Sequence, residues 1–331
     1  MDNNIEQVNQ AITAIASESC VDEAVISDLI FYPEHFIAKL GRFWKHVNNE
    51  RNSPSRMADR WIKDAIAEYN QFRNDIIKDY DYPIWTAGVP RSTPIDDVIR
   101  VHLKHKFILS ADIKCFYDHI SFSAVQRYMP PSLIFVIKSI YFNANQVGLK
   151  RGLQASSAIS DIVGERIIDN RIKQMIYKND FRKDIKYSRY CDDLLFSSQS
   201  KARLRDLEAK LRTELAAIGF ELNKNKTKLK PTNSSIVLGR RIHNGRIIIS
   251  KLYRNRARLK YYNALKSFEQ CNKTSIDDVR HTLAMIETAL GTANYIHRYN
   301  NINNTTIEQL KEGRKALLQL LNDKDEQSPF V

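Results

Sequence analysis

The chain has 331 residues, 43% of them apolar and 27% charged; Lys and Arg outnumber Asp and Glu by 51 to 38, for a formal charge of +13. This is the composition of a globular protein with roughly two or three subdomains, and it excludes disordered, collagen-like and low-complexity classes. Cys20, Cys115, Cys191 and Cys271 show no CxxC or Cys/His spacing, so neither a disulfide scaffold nor a structural zinc site is expected; the polar N-terminus lacks a leader pattern, no apolar run approaches the ~20 residues of a membrane span, and a cytoplasmic protein without membrane contact is expected.

Residues 1–80 read as helical. Val8, Ile12 and Ile15 recur at helical spacing, as do Phe36, Leu40, Phe43 and Trp44, and then Trp61, Ala65, Tyr69, Phe72 and Ile76. Residues 81–100, with Pro83, Gly88, Pro90 and Pro94, read as loop. Phe107 to Ile113 is an apolar run too short for a helix and reads as a buried strand. A helix is predicted from Pro130–Pro131 to Tyr141 and another from Ser160 to Tyr177. Ile185 to Ser198 alternates like a hairpin. Lys201 to Ile218 is a Leu- and Ala-rich helix ended by Gly219. A second hairpin is predicted over Ile236–Ser250, turning at His243-Asn244-Gly245, and the remainder is helical, broken near Gln270–Ser275 and Asn300–Thr305. The element order indicates an α+β fold.

The positive charge is concentrated. Residues 223–262 hold twelve basic side chains and no Asp or Glu, with Tyr253, Tyr261 and Tyr262 interleaved. Such a block suits a polyanionic backbone, because neutralising phosphates releases counterions. A solvated Lys/Arg face is the plainer alternative.

Asp192 and Asp193 are adjacent at the predicted hairpin tip, where like charges repel. Asp112 ends a separate buried strand, an equally unfavourable place for a lone carboxylate. A divalent cation removes both penalties, and Mg²⁺ takes carboxylate oxygens. Three such carboxylates on neighbouring strands can hold two metals for in-line phosphoryl transfer. Taken one at a time, an Asp-Asp turn and a strand-end Asp are common structural features.

Jointly, these motifs resemble those of a reverse transcriptase, over roughly residues 89–300. Asp112-Ile-Lys-Cys-Phe-Tyr-Asp-His-Ile120 is similar to the first palm motif of bacterial and group II intron enzymes. Tyr190-Cys-Asp-Asp193 matches the Tyr-x-Asp-Asp motif. Gly219-Phe-Glu-Leu-Asn-Lys-Asn-Lys-Thr-Lys228 resembles the element that follows it. Val237 to Arg246 is similar to the primer-grip hairpin, and Leu290 to Ile296 to a thumb pattern.

The resemblance implies a right-hand polymerase: an N-terminal helical region and the start of the fingers over 1–84, fingers and palm over 85–250, and a helical thumb over 251–331. It implies that Asp112, Asp192 and Asp193 are catalytic and, with the backbone carbonyl of Ile113, bind two Mg²⁺ ions, Mn²⁺ being an alternative. Tyr117 falls where a bulky side chain crowds a ribose 2′-hydroxyl and favours deoxynucleotides. Asp118 lies one residue past the offset at which RNA polymerases place a carboxylate, which argues for DNA synthesis. Arg91, Arg100, Gln154, Ser156 and Lys226 are the further expected nucleotide contacts; guanidinium groups suit phosphate, and Lys226 is placed to protonate the leaving pyrophosphate, with plain electrostatics as its other role. Lys224, Lys228, Arg240, Arg241, Arg254, Arg256, Arg258 and Lys260 are expected to follow the nucleic-acid backbone.

The second palm motif departs from the usual Gln-Gly-x-x-x-Ser-Pro. Anchoring on Ser160 puts Ala155 on the Gln, Ser156 on the Gly and Asp161 on the Pro, leaving Gln154 one residue off. Ser160-Asp-Ile-Val-Gly-Glu165 instead resembles abortive-infection and other defence-associated bacterial enzymes. That likeness implies RNA-directed DNA synthesis in antiphage defence on a noncoding RNA, with dNTPs as substrates, DNA as product, and a homo-oligomer or defence partner protein. Template-independent or protein-primed synthesis, a retron-type enzyme and a catalytically silent RNA-binding regulator are the alternatives. A retron's Val-Thr-Gly triplet is missing from the thumb region.

Overall fold

The computed structural model describes residues 2–41, 43–47, 50, 52–71, 85–87, 95–300 and 304–326. Contacts divide the chain into residues 1–231 and 232–331, each with its own apolar core.

The first unit opens with helices α1 (Asp2–Ser19) and α2 (Glu23–Phe31). Val8, Ile12 and Ile15 are buried along one face of α1. Asp22 caps α2 by accepting the Ala24 N–H at 2.7 Å.

The next segment corrects the helical expectation. Phe36 to Trp44 does not continue a helix; it belongs to an antiparallel hairpin of β1 (Ile37–Leu40) and β2 (Phe43–His46), with Leu40 opposite Phe43 and Gly41 at φ +60° in the turn. The apolar spacing fits a helix, but only Ile37 and its cross-strand partner His46 are buried, while Leu40 and Phe43 stay half-exposed. There is thus no continuous apolar face for a helix to bury.

Helix α3 (Pro54–Gln71) carries Pro at its first turn, where the missing N–H costs nothing. It buries Ala58, Ile62 and Ile66, together with Asp59. Part of the region expected to be loop is ordered: β3 (Trp85–Ala87) pairs with a later strand and α4 (Ile95–Arg100) follows. Then come β4 (Phe107–Asp112), α5 (Phe122–Val125), α6 (Ile134–Tyr141) and α7 (Gln154–Ile162). Helix α7 runs through a π-helical segment, Val163–Asp169, into α8 (Asn170–Lys178). The hairpin β5 (Lys186–Tyr190) and β6 (Asp193–Ser198), helix α9 (Lys201–Ala216) and β7 (Lys228–Pro231) complete the unit. Leu204, Leu207, Leu211 and Leu215 form the buried stripe of α9; each such side chain contributes about 1.5–3 kcal/mol on burial.

The central sheet has the order β3-β5-β6-β4-β7; β3 runs parallel to β5 and every other pair is antiparallel. Strand alternation sends Tyr187 and Arg189 to the face packed on the π-helical segment and Ser188 to the other face. On that other face Ser188 and Ser197 hold the fully buried His102 between them, both at 2.7 Å.

The second unit holds β8 (Ile236–Val237), β9 (Arg240–His243) and β10 (Arg246–Ile249), then α10 (Lys251–Gln270), α11 (Ile276–Asn300) and α12 (Asn304–Glu326). Asn244 and Gly245, both at positive φ, make the two-residue turn between β9 and β10, as Asn-Gly favours. Ala257, Tyr261 and Ala264 of α10 pack with Ile286, Ala293 and Leu310. The class is α+β. Among the described residues no helix is long and apolar enough to cross a membrane.

Candidate active site

Pairing of Tyr190 with Asp193 leaves Cys191 and Asp192 as a two-residue turn. Cys191 takes φ +53°, a conformation L-residues adopt at a cost, and the constraint comes from around it. Strand β4 lies beside β6 so that Asp112 stands directly opposite Asp193. Opposed residues share a face with Cβ atoms about 4.5–5.5 Å apart. The Ile113 N–H donates to the Asp192 carbonyl at 3.0 Å and the Asn223 N–H to the Asp112 carbonyl at 2.8 Å. Three chain segments therefore converge where the sequence places its three carboxylates.

Their electrostatics are unfavourable without a cation. Burial, then the charges of Asp192 and Asp112, push the Asp193 carboxyl up to about 6. Burial and the Asp112 charge raise Asp192 as well. The Lys226 ammonium reaches Asp112 Oδ1 at 2.7 Å, and that hydrogen bond pushes the lysine up. Among the described residues no three His, Cys, Asp or Glu side chains form a ready-made cage for an ion; Asp112 is turned to Lys226. The donor set nevertheless fits a hard divalent cation, being all oxygen with more negative charge than one ammonium offsets. Asp112, Asp192, Asp193 and the Ile113 carbonyl are the groups that would hold it.

The turn is held from behind by Arg189. Its guanidinium donates to both Asp169 oxygens, at 2.9 and 3.0 Å, and to the Cys191 carbonyl at 3.1 Å. Both partners of the ion pair are buried. Burial works against the Arg189 charge, but Asp169 outweighs it and the guanidinium is held protonated. The Tyr187 hydroxyl also donates to Asp169, at 2.6 Å. Gly164 makes room: a Cβ there would lie 2.3 Å from the nearest Arg189 nitrogen. Burial and the charges of Asp161 and Asp192 push the Cys191 thiol up to about 12, so it is no thiolate at neutral pH.

Tyr117 stands beside this cluster. Its hydroxyl meets Ser160 Oγ at 3.1 Å, and burial raises its pKa. A cavity of about 510 Å³ opens over Asp112, Ile113, Tyr117, Asp192 and Lys226; Phe43, Lys114, Cys115, Phe116, Arg151, Gly152 and Asn223 complete its lining. Gln154 and Ser156 do not line it. The Gln154 and Ala155 N–H groups are capped by Asp59 of α3, at 2.8 and 3.0 Å. Ser156 is 1% exposed, and its hydroxyl has no partner among the described residues.

Arg100 is exposed on α4, 3.1 Å from Asp97, and does not line the cavity. Arg91 lies outside the described residues. Lys224, on the stretch leading into β7, and Lys228, its first residue, are exposed. In the second unit Arg241, Arg254, Arg256, Arg258 and Lys260 are exposed. Arg240 is buried, its guanidinium 4.7 Å from the Tyr295 ring and 5.4 Å from the Tyr253 ring. Those rings, not solvent, surround its charge.

Arg151 and Phe43 are among the cavity residues to which the sequence reading gave no role. Arg151 stands with Gly152 just ahead of the second motif as anchored on Ser160. Phe43 had no signal, because its segment reads as a helix. The hairpin that carries Phe43 is seated by Gly152, at φ +90°, where a Cβ would fall 2.1 Å from the Trp44 carbonyl oxygen. Lys150 over the Trp44 ring at 4.8 Å adds a cation–π contact.

The chain is similar in fold to structures of telomerase from Candida albicans bound to a TWJ fragment of telomeric RNA (13% identity, 81% of this chain and 55% of that one, TM-score 0.43) and of apo telomerase from Candida tropicalis (13% identity, 81% and 58%, TM-score 0.44). It spans little more than half the length of those chains. None of the curated proteins matches it in sequence. A family model described as reverse transcriptase (RNA-dependent DNA polymerase) matches residues 54–242, from the first turn of α3 to β9. That match takes in more than half of the sequence and all three carboxylates, and the chain belongs to the reverse transcriptase family.

Proposed function

We propose that this chain is an RNA-directed DNA polymerase that extends a 3′-hydroxyl with dNTPs. The observation that carries the proposal is the register of Asp112 against Asp193, with Asp192 in the adjoining turn. Two divalent cations, when bound, supply activation of the primer hydroxyl and charge neutralisation on the transferred phosphoryl group. The chain's own residues do the rest. Asp112, Asp192, Asp193 and the Ile113 carbonyl hold the ions, and Arg189 fixes the turn that presents Asp192. Tyr117, tied to Ser160, crowds the sugar's 2′ position. Lys226 carries positive charge, and a proton, at the edge of the cavity where pyrophosphate leaves. The central sheet acts as palm, and α10 to α12 as thumb, with Arg241, Arg254, Arg256, Arg258 and Lys260 along the duplex backbone.

The cellular setting we propose is antiphage defence on a noncoding RNA template. The likeness of Ser160–Glu165 to defence-associated enzymes supports it. Incubating the protein with labelled dNTPs, Mg²⁺, and either a primed RNA template or its copurifying RNA tests the activity. Incorporation by the wild type and none by Asp192→Ala supports it; RNA binding without incorporation on any primer leaves a silent scaffold and ends the proposal. RNase pretreatment and proteinase K separate RNA-templated from protein-linked product.

A further inference from the structure

Residues 1–38 hold seven Asp and Glu and no Lys or Arg, the reverse of the basic block at 223–262. Both stretches also expose large apolar side chains. On α2, Phe31 and Tyr32 follow Asp28 by three and four residues, so the three share one face. Both rings are half-exposed, and the exposed Phe135 of α6 has its ring centre 6.4 Å from that of Phe31. The Asp28 carboxylate is exposed and has no partner among the described residues. A lone exposed apolar residue is ordinary; three aromatic rings together beside unpaired charge have the make-up of an interface. On α10, Leu252, Arg256, Leu259, Tyr262 and Lys266 succeed one another at spacings of three and four and form one stripe. Leu252, Leu259 and Tyr262 are 63%, 61% and 62% exposed, while Ala257, Tyr261 and Ala264 on the opposite side meet the core. Arg256 and Lys266 have no acidic partner among the described residues. A phosphate backbone would use the cations of this stripe but not its leucines, and the acidic face of α2 repels nucleic acid.

We infer that the aromatic, acidic face of α2 and α6 in one copy of this chain docks on the aliphatic, basic stripe of α10 in a second copy. Each surface supplies what the other lacks: unpaired carboxylates meet unpaired guanidinium and ammonium groups, and exposed rings meet exposed leucines. Charge of this kind steers encounter and fixes the pairing. The two surfaces differ, so the contact is head to tail; every chain keeps one face of each kind for a further copy, and the association closes into a ring or extends. A second copy and a nucleic acid then compete for the cations of α10. The contact needs only the two surfaces and does not rest on the polymerase reading.

Sedimentation velocity on the full chain, freed of nucleic acid by nuclease treatment, tests this. At about 50 mM NaCl, species larger than the monomer should form and grow with protein concentration; at about 500 mM, where screening is short-ranged, they should disperse. Phe31→Ser with Tyr32→Ser removes one face, and Leu259→Ser with Tyr262→Ser the other. All four side chains are exposed, and melting temperatures near wild type confirm folding. Each double variant should raise the dissociation constant at low salt by about tenfold or more. Mixed in equal amounts, the two should form a one-to-one dimer and nothing larger, since each retains the face that the other lacks. Asp28→Lys should weaken low-salt association by about tenfold through like charge. A wild type that stays monomeric at low salt overturns the inference. So does association that nuclease treatment abolishes, that high salt leaves unchanged, or that either double variant or Asp28→Lys retains within twofold. Double variants that fail to associate when mixed overturn the head-to-tail arrangement.

Discussion

The Arg189 guanidinium donates to the Cys191 carbonyl oxygen at 3.1 Å, one residue ahead of Asp192. A buried ion pair with Asp169 aims it there. The geometry of the acidic turn is thus set from inside the unit, through a π-helical segment that brings Asp169 under the strand.

Removing Arg189 alone leaves a buried carboxylate without its charge partner. Arg189→Met should cost about 3–5 kcal/mol of stability, read by urea unfolding. Arg189→Met with Asp169→Leu should regain much of that stability, because two apolar groups replace the pair, but should not regain DNA synthesis. Recovery of synthesis in the double variant would show that the turn needs no such support.

Asp59 links α3 to the start of α7, accepting two N–H groups there and the Tyr141 hydroxyl at 2.9 Å. Asp59→Ala strands these buried donors and should cost about 1–3 kcal/mol. Since α7 also carries Ser160, the tie to Tyr117 should slacken and discrimination against ribonucleotides should fall. Unchanged stability in thermal melts would count against the cap.

His102 makes the fold acid-sensitive. Ser188 donates its hydroxyl proton to the Val98 carbonyl, so it accepts from His102 Nε2–H, and Ser197 donates to Nδ1. Burial, with the charge of His105 second, pushes His102 down to about 3. The unfolded chain takes up a second ring proton near its usual ~6.5. The unfolded state therefore binds more protons between these values, and stability falls as pH drops through that window, by about 1.4 kcal/mol per unit. Between pH 7 and 5 the wild type should lose about 2 kcal/mol more than His102→Gln in parallel urea titrations. Identical pH profiles would refute the assignment.

Asp193 acts in the opposite sense. Its carboxyl is raised from an unfolded value of ~3.9 to about 6, so ionising it costs the folded state, and the cost is complete above about 6. Asp193→Asn should accordingly raise the melting temperature in EDTA at pH 7.5, by an amount on the order of 1–3 kcal/mol in stability. Mg²⁺ should stabilise the wild type more than the variant, closing the gap. A variant that melts lower than wild type in EDTA would contradict this balance of charges.

How much of this was readable beforehand depends on the range of the interactions involved. Asp112, Asp192 and Asp193 stand out in the sequence because carboxylates inside apolar strands are locally anomalous, whereas Tyr117 is marked only by the resemblance of its motif to the family's. The hairpins over 186–198 and 240–249 follow from alternation and an Asn-Gly turn, which need only neighbouring residues. The hairpin at 37–46 was hidden: its apolar spacing suits a helix, and its seat is the approach of Trp44 to Gly152, more than a hundred positions away. Arg240 reads as one more phosphate-binding arginine until Tyr253 and Tyr295 are seen around it. Arg151 and Phe43 join the cavity only once distant segments pack. Local chemistry in the sequence thus determined which groups are capable of the reaction and which short stretches form strands or helices. Close approach of segments remote in the chain, which no local pattern encodes, decided which side chains surround the acidic turn and which are withdrawn from it.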